Sequence, residues 1–149
     1  CLAVCPKDAI AADYNDSLKV LNCKMAEYTL AICKDRPCFH ISLICDVAPN
    51  CDCRPENARP IIPNVGMLAS FDPVALDMAC ADLCNQQPVL SNSVLAENME
   101  QHKHEHGDGD CEHGHDHFYY NHPDTNWRSC IEHAVKIGLG TDQYELIEV

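Results

Sequence analysis

Residues 39–85, FHISLICDVAPNCDCRPENARPIIPNVGMLASFDPVALDMACADLCN, decide the fold. The stretch opens with a strand-like apolar run, Phe39 to Val47. A polar loop from Ala48 to Pro55 follows and carries Cys51 and Cys53. A second apolar run, Ile61 to Ser70, leads into Phe71-Asp72-Pro73-Val74-Ala75-Leu76-Asp77, which announces a helix. Asp72 is placed to cap it, and Pro73 suits the first turn, where no N–H is needed. Leu76, Ala79, Cys80 and Leu83 recur at helical spacing and form one apolar face. Strand, loop, strand and helix in this order predict an α/β fold. We expect a single layered domain whose small sheet, mixed or parallel, is flanked by helices, with the cysteine loop at its edge.

Working outward, Met25 to Cys33 reads as a helix, with Asn22 as its cap and Met25, Tyr28, Thr29 and Ile32 on a core-facing side. Lys34 to Pro37 ends that helix, and His40 is an edge residue at the start of the first strand. Toward the C-terminus, Asp124 or Thr125 caps a helix whose buried face is Trp127, Cys130, Ile131, Ala134 and Ile137. Gly138 or Gly140 ends it. Tyr144 to Val149 reads as a short terminal strand. Asp72, Asp77 and Asp82 are five residues apart and so turn to different helical faces, which leaves no paired acid and base. Asp77 is free to face a site at the sheet edge, where a carboxylate near a helix start is favourably placed.

The totals exclude some classes of function. The chain has 149 residues, 46% of them hydrophobic, and suits one domain with an ordinary core. No apolar run is long enough to span a membrane, so no membrane role is expected. With 23 acidic and 10 basic residues the formal charge is −13. Such a field repels phosphate backbones, and no nucleic-acid partner is expected. Twelve cysteines and nine histidines in an acidic chain favour metal ligation over disulfides and a cytoplasmic location. Because residue 1 is Cys, the chain is expected to be a fragment, a processed form or the product of an incomplete gene model.

Cys1-Leu2-Ala3-Val4-Cys5-Pro6 matches the end of the ferredoxin pattern C-x2-C-x2-C-x3-C-P, with Cys1 and Cys5 as its last two cysteines. Soft thiolates at that spacing wrap an iron–sulfur cube. Cys23 lies where a second such run could begin, but no further cysteines follow at the required spacing. Cys51 and Cys53, two apart, face one side of an extended segment, and Cys45 could add a third thiolate. Such a set selects zinc or iron–sulfur over hard cations, although a tolerated loop remains an alternative. Cys80 and Cys84 read as buried thiols on the apolar helix face. From 97 to 117 the character changes to ENMEQHKHEHGDGDCEHGHDH, a solvated, flexible insertion. His102, His104, His106, Cys111, His113, His115 and His117 make it avid for Zn or Ni.

The segment APNCDCRPENARPIIPNVGMLASFDPVALDMACADL resembles the C-terminal part of the uncharacterised iron–sulfur-centre protein family, bacterial and archaeal proteins with ferredoxin-type motifs. HPDTNWRSCIEHAVKIGLGTDQYELIEV is similar to that family's closing segment, and CLAVCP fits its N-terminal part. The resemblance omits the histidine-rich stretch. It implies residues 1–22 as the remnant of a 4Fe–4S ferredoxin-type module and 23–149 as the α/β domain, with the insertion at about 97–117. It also implies a [4Fe–4S] cofactor, Cys51 and Cys53 as further ligands or docking-site residues, and a redox partner protein. The leading expectation is electron transfer. The alternatives are Zn or Ni storage or delivery through the histidine-rich stretch, and a structural scaffold for a redox enzyme.

Overall fold

A computed structural model describes residues 18–51, 55–106 and 114–149. Within them lie five helices and two strands. The helices are α1 (Leu18–Cys33), α2 (Pro73–Gln86), α3 (Val94–His106), α4 (His117–Asn121) and α5 (Arg128–Lys136). The strands are β1 (His40–Ile44) and β2 (Gly66–Ser70). The α/β expectation and the single domain are met. The sheet itself is antiparallel, not mixed or parallel, with His40 opposite Ser70 and Ile44 opposite Gly66. Among the described residues no crossover helix separates the two strands, and a parallel pair would usually need one. Ile61 and Ile62, expected in the second strand, are instead buried in the loop before it. That loop is tied to the end of β1 by Ile61 N–H to Val47 O (2.8 Å) and Val65 N–H to Ile44 O (2.9 Å).

Alternation along β1 turns His40, Ser42 and Ile44 toward α2 and leaves Ile41 and Leu43 exposed. The core forms around Ile44, Ile61, Ile62, Cys84 and Leu95, with Leu68, Leu83, Met99 and Phe118 packed against it. A smaller cluster of Ala26, Val74 and Ala134 joins α1, α2 and α5. Its small side chains let α5 pack against both α1 and α2.

The start of α2 follows the sequence reading. Asp72 Oδ1 accepts from Val74 N–H (2.9 Å) and Ala75 N–H (3.1 Å), with Pro73 in the first turn. At the end of α5, Gly138 adopts φ +77°. Gly138 N–H reaches Val135 O and Leu139 N–H reaches Ala134 O, both at 3.0 Å, the two bonds of a Schellman ending.

Other boundaries shift. The α1 helix begins at Leu18, so Asn22 lies inside it and is not its cap. Asn22 Nδ2 instead donates across to Asn126 O (2.7 Å) and Ser129 Oγ (2.9 Å), fastening α1 to the entry of α5. That helix starts at Arg128 without a side-chain cap. Residues 144–149, expected as a terminal strand, form none. The described part of the histidine-rich stretch is largely helical: α3 runs to His106, and Leu95 near its start is fully buried.

Candidate metal centre

The C-terminus of α1 and the N-terminus of β1 meet at a tight corner. Cys33 is the last residue of α1, and Asp35 takes a left-handed conformation (φ 58°) that reverses the chain. Lys34 N–H closes on Leu30 O (2.8 Å) and Arg36 N–H on Cys33 O (3.1 Å). Pro37 then cannot extend the helix, and Cys38 folds back with its Sγ 3.9 Å from Cys33 O. His40, two residues on, opens β1. One ligand atom from each of Cys33, Cys38 and His40 lies within 4.8 Å of the other two, and all three residues are half-buried.

His40 Nε2 is buried and has no hydrogen-bond partner. Leaving such an atom unsatisfied costs about 1–3 kcal/mol, so a native structure that does so needs a reason. Two sulfurs and an imidazole nitrogen in one small volume are a donor set for a soft or borderline transition metal. Burial raises the Cys33 thiol above its ordinary value, and its hydrogen bond and charge interaction with Cys38 add to the rise, while Arg36 opposes it. Without a metal Cys33 is therefore more inclined to hold its proton, and a metal would have to displace it. Three protein ligands fit this role, and the ion would be polarising and charge-neutralising there.

Asp77 stands just outside the trio on α2. Burial raises its carboxyl and the charge of His40 lowers it, so the acid and the imidazole feel each other. Cys80 is raised by burial, then by Asp77, against a hydrogen bond from Ser42. Cys84 and Cys130 are also raised, first by burial. These neutral, packed thiols match the buried reading of Cys80 and Cys84.

Other expected ligands are placed differently. Cys1 and Cys5 lie outside the described residues, as do Cys53, Cys111 and His113. Cys45 and Cys51 are both exposed. The loop bearing Cys51 is closed at its base by Asn50 and Asn57: Asn50 N–H donates to Asn57 Oδ1 (3.3 Å) and Asn57 Nδ2 to Asn50 O (3.0 Å). From the other side His122 Nε2 donates to Pro49 O (2.7 Å). The base of the loop is thus held, with Cys51 exposed beside it.

His102 and His104 sit on α3, where two-residue spacing separates them by roughly 200°, so they do not converge as they would on an extended chain. The His102 ring meets those of Tyr119 and Tyr120 edge-on. His106 is the last residue of α3, and His115 is exposed. His117 is buried, with Nε2 on Gln87 O (2.9 Å) and its N–H on Asn85 Oδ1 (2.9 Å). It anchors α4 to the end of α2.

The fold and this corner define an α/β protein with a candidate thiolate–imidazole metal site. Residues 3–82, more than half of the chain, match the model of the family described as Domain of unknown function (DUF362), and the chain belongs to that family. The match spans Cys33, Cys38, His40 and Asp77 and ends at Asp82, short of the C-terminal segment included in the sequence resemblance. No curated protein and no solved structure matches the chain.

The trio was not singled out in the sequence. Cys33 reads there as a helix end and His40 as an edge residue. The available signal is C-x4-C-x-H within eight residues, compact enough to be one ligand loop but easily lost among twelve cysteines.

Proposed function

We propose that this chain is part of a metal-dependent redox protein that carries electrons to a partner protein. The observation that supports it is the Cys33–Cys38–His40 trio with its unsatisfied His40 nitrogen. Ligand atoms this close suit a single ion, zinc or iron, because a cube spreads its ligands over different irons. In this reading the mononuclear ion organises the α1–β1 corner. The electron-carrying [4Fe–4S] cluster draws on Cys1 and Cys5, whose C-x3-C-P pattern is its support.

Anaerobic iron, zinc and sulfide analysis of the protein and two variants tests the reading. Cys33→Ser should remove one metal ion per chain and leave sulfide unchanged. Cys5→Ser should remove iron and sulfide together and leave that ion in place. Protein without sulfide would defeat the electron-transfer assignment. Protein whose metal content ignores Cys33→Ser would defeat the corner site.

A further inference from the structure

We propose that two copies of this chain form a closed pair in which the exposed stripe of α1 on each copy covers the exposed face of the β1–β2 sheet on the other.

Alternation along the strands gives the sheet two faces. The inner one, with Ile44 and Leu68, packs into the core beside α2. The outer one carries Phe39, Ile41 and Leu43 from β1 and its approach, and Met67, Ala69 and Phe71 from β2 and its exit, all exposed. The rings of Phe39 and Phe71 lie 5.1 Å apart and continue the face past the strand ends. An antiparallel sheet with one side in water normally turns polar residues that way. This side has none among those six, and among the described residues no helix covers it.

A second orphan surface lies on α1. Leu18, Leu21, Met25, Tyr28 and Ile32 recur at alternating intervals of three and four residues and are exposed, although the sequence places Met25, Tyr28 and Ile32 toward the core. That spacing lines up a seam for packing against a partner. The adjacent side of α1, with Asn22 and Ala26, is already used against α5. Held there, α1 does not lie along either strand of its own sheet.

Each surface supplies what the other lacks, a helix layer for the sheet and an apolar bed for the helix. The 16 residues of α1 span about 24 Å, enough to cross two strands of five residues. Neither surface carries a formal charge, so two chains of charge −13 can meet there with the least repulsion. The ten large side chains of the two surfaces are between 45% and 80% exposed. At about 200 Å² apiece they offer roughly 1,000 Å² per copy, more than the ~800 Å² per partner of a standard stable interface. A two-fold pair buries both surfaces of both copies, whereas docking in one direction only would continue into a filament.

Sedimentation velocity of the anaerobic full chain over a concentration series tests the pair. The expected result is a monomer–dimer equilibrium that stops at the dimer. Leu43→Glu on the sheet and Tyr28→Lys on the helix should each weaken it about a hundredfold. Both side chains are exposed, so circular dichroism should stay unchanged. Mixing the two variants should restore association above that of either alone, because one contact is then intact and the other pairs opposite charges. A chain that stays monomeric at every concentration would overturn the pair, as would a dimer indifferent to both substitutions. Sensitivity to Tyr28→Lys alone would mean helix on helix, and sensitivity to Leu43→Glu alone would mean sheet on sheet. Either would overturn the helix-on-sheet contact, and open-ended polymers would overturn its closure.

Discussion

At Asp72 one carboxylate serves two distant parts of the chain. Its Oδ1 caps α2, and its Oδ2 accepts from Thr141 N–H (2.9 Å), drawing the C-terminal segment onto the helix start. A Cβ at Gly140 would overlap that carboxylate. Replacing Asp72 by Ala should cost about 1–2 kcal/mol in chemical denaturation. Gly140→Ala should cost about 1–3 kcal/mol through the clash. The double variant should lose less than the sum, because removing the carboxylate removes the clash. Asp77 gives the opposite sign. Its carboxyl is raised in the folded state, so between its ordinary value of 3.8 and the folded value the native protein holds a proton that the unfolded chain has released. Stability from this group therefore falls as pH rises through that window and is fully present below it. Asp77→Asn should raise the melting temperature of the metal-free protein at neutral pH, and the gain should vanish below about pH 3.8. The residue as a whole is exposed, so solvent screening keeps the gain small. A destabilising carboxylate beside His40 is what an outer partner of a metal site would look like in the metal-free state. The Cys33 thiol is raised as well, so metal uptake should release protons into weakly buffered solution, and affinity should fall as pH is lowered.

Among the elements, α2 was the most legible, because its cap, its proline and its apolar face are local signals that agree with one another. The α5 ending at Gly138 was legible for the same reason. The entry of α5 and the true start of α1 were not. Asn22 bonds to residues more than one hundred positions away, and nothing local distinguishes such a donor from a cap. The α3 helix was hidden by composition: glycines and histidines suggest a solvated loop, yet Leu95 pins its start in the core. Leu95→Ala should therefore cost about 2–5 kcal/mol, a loss that a purely solvated insertion would not show. Asn22→Ala should cost about 1 kcal/mol and speed hydrogen exchange in α1 and α5 together, since the two share that fastening.

For the whole molecule, the α/β class was readable from the order of runs in residues 39–85, but the sheet direction was not. Direction depends on how the 45–65 connection folds back, and Ile61 and Ile62 do so as a buried loop. One face of the resulting sheet carries Ile41, Leu43 and Met67 exposed, although a sheet flanked by helices, as expected from the sequence, would be covered on both sides. The trio was hard to read because its three residues belong to a helix end, a turn and a strand start, each with an ordinary local explanation. Only the left-handed turn at Asp35 brings them together. The central claim, a metal held at that corner by two thiolates and an imidazole, is tested most directly by X-ray absorption at the metal edge of anaerobically purified protein freed of any cluster by Cys5→Ser. The account predicts a first shell with two sulfurs at about 2.3 Å and one imidazole nitrogen at about 2.0–2.1 Å, lost in Cys33→Ser. A shell of nitrogen and oxygen only, unchanged by that substitution, would contradict it and move the metal to the histidine-rich stretch.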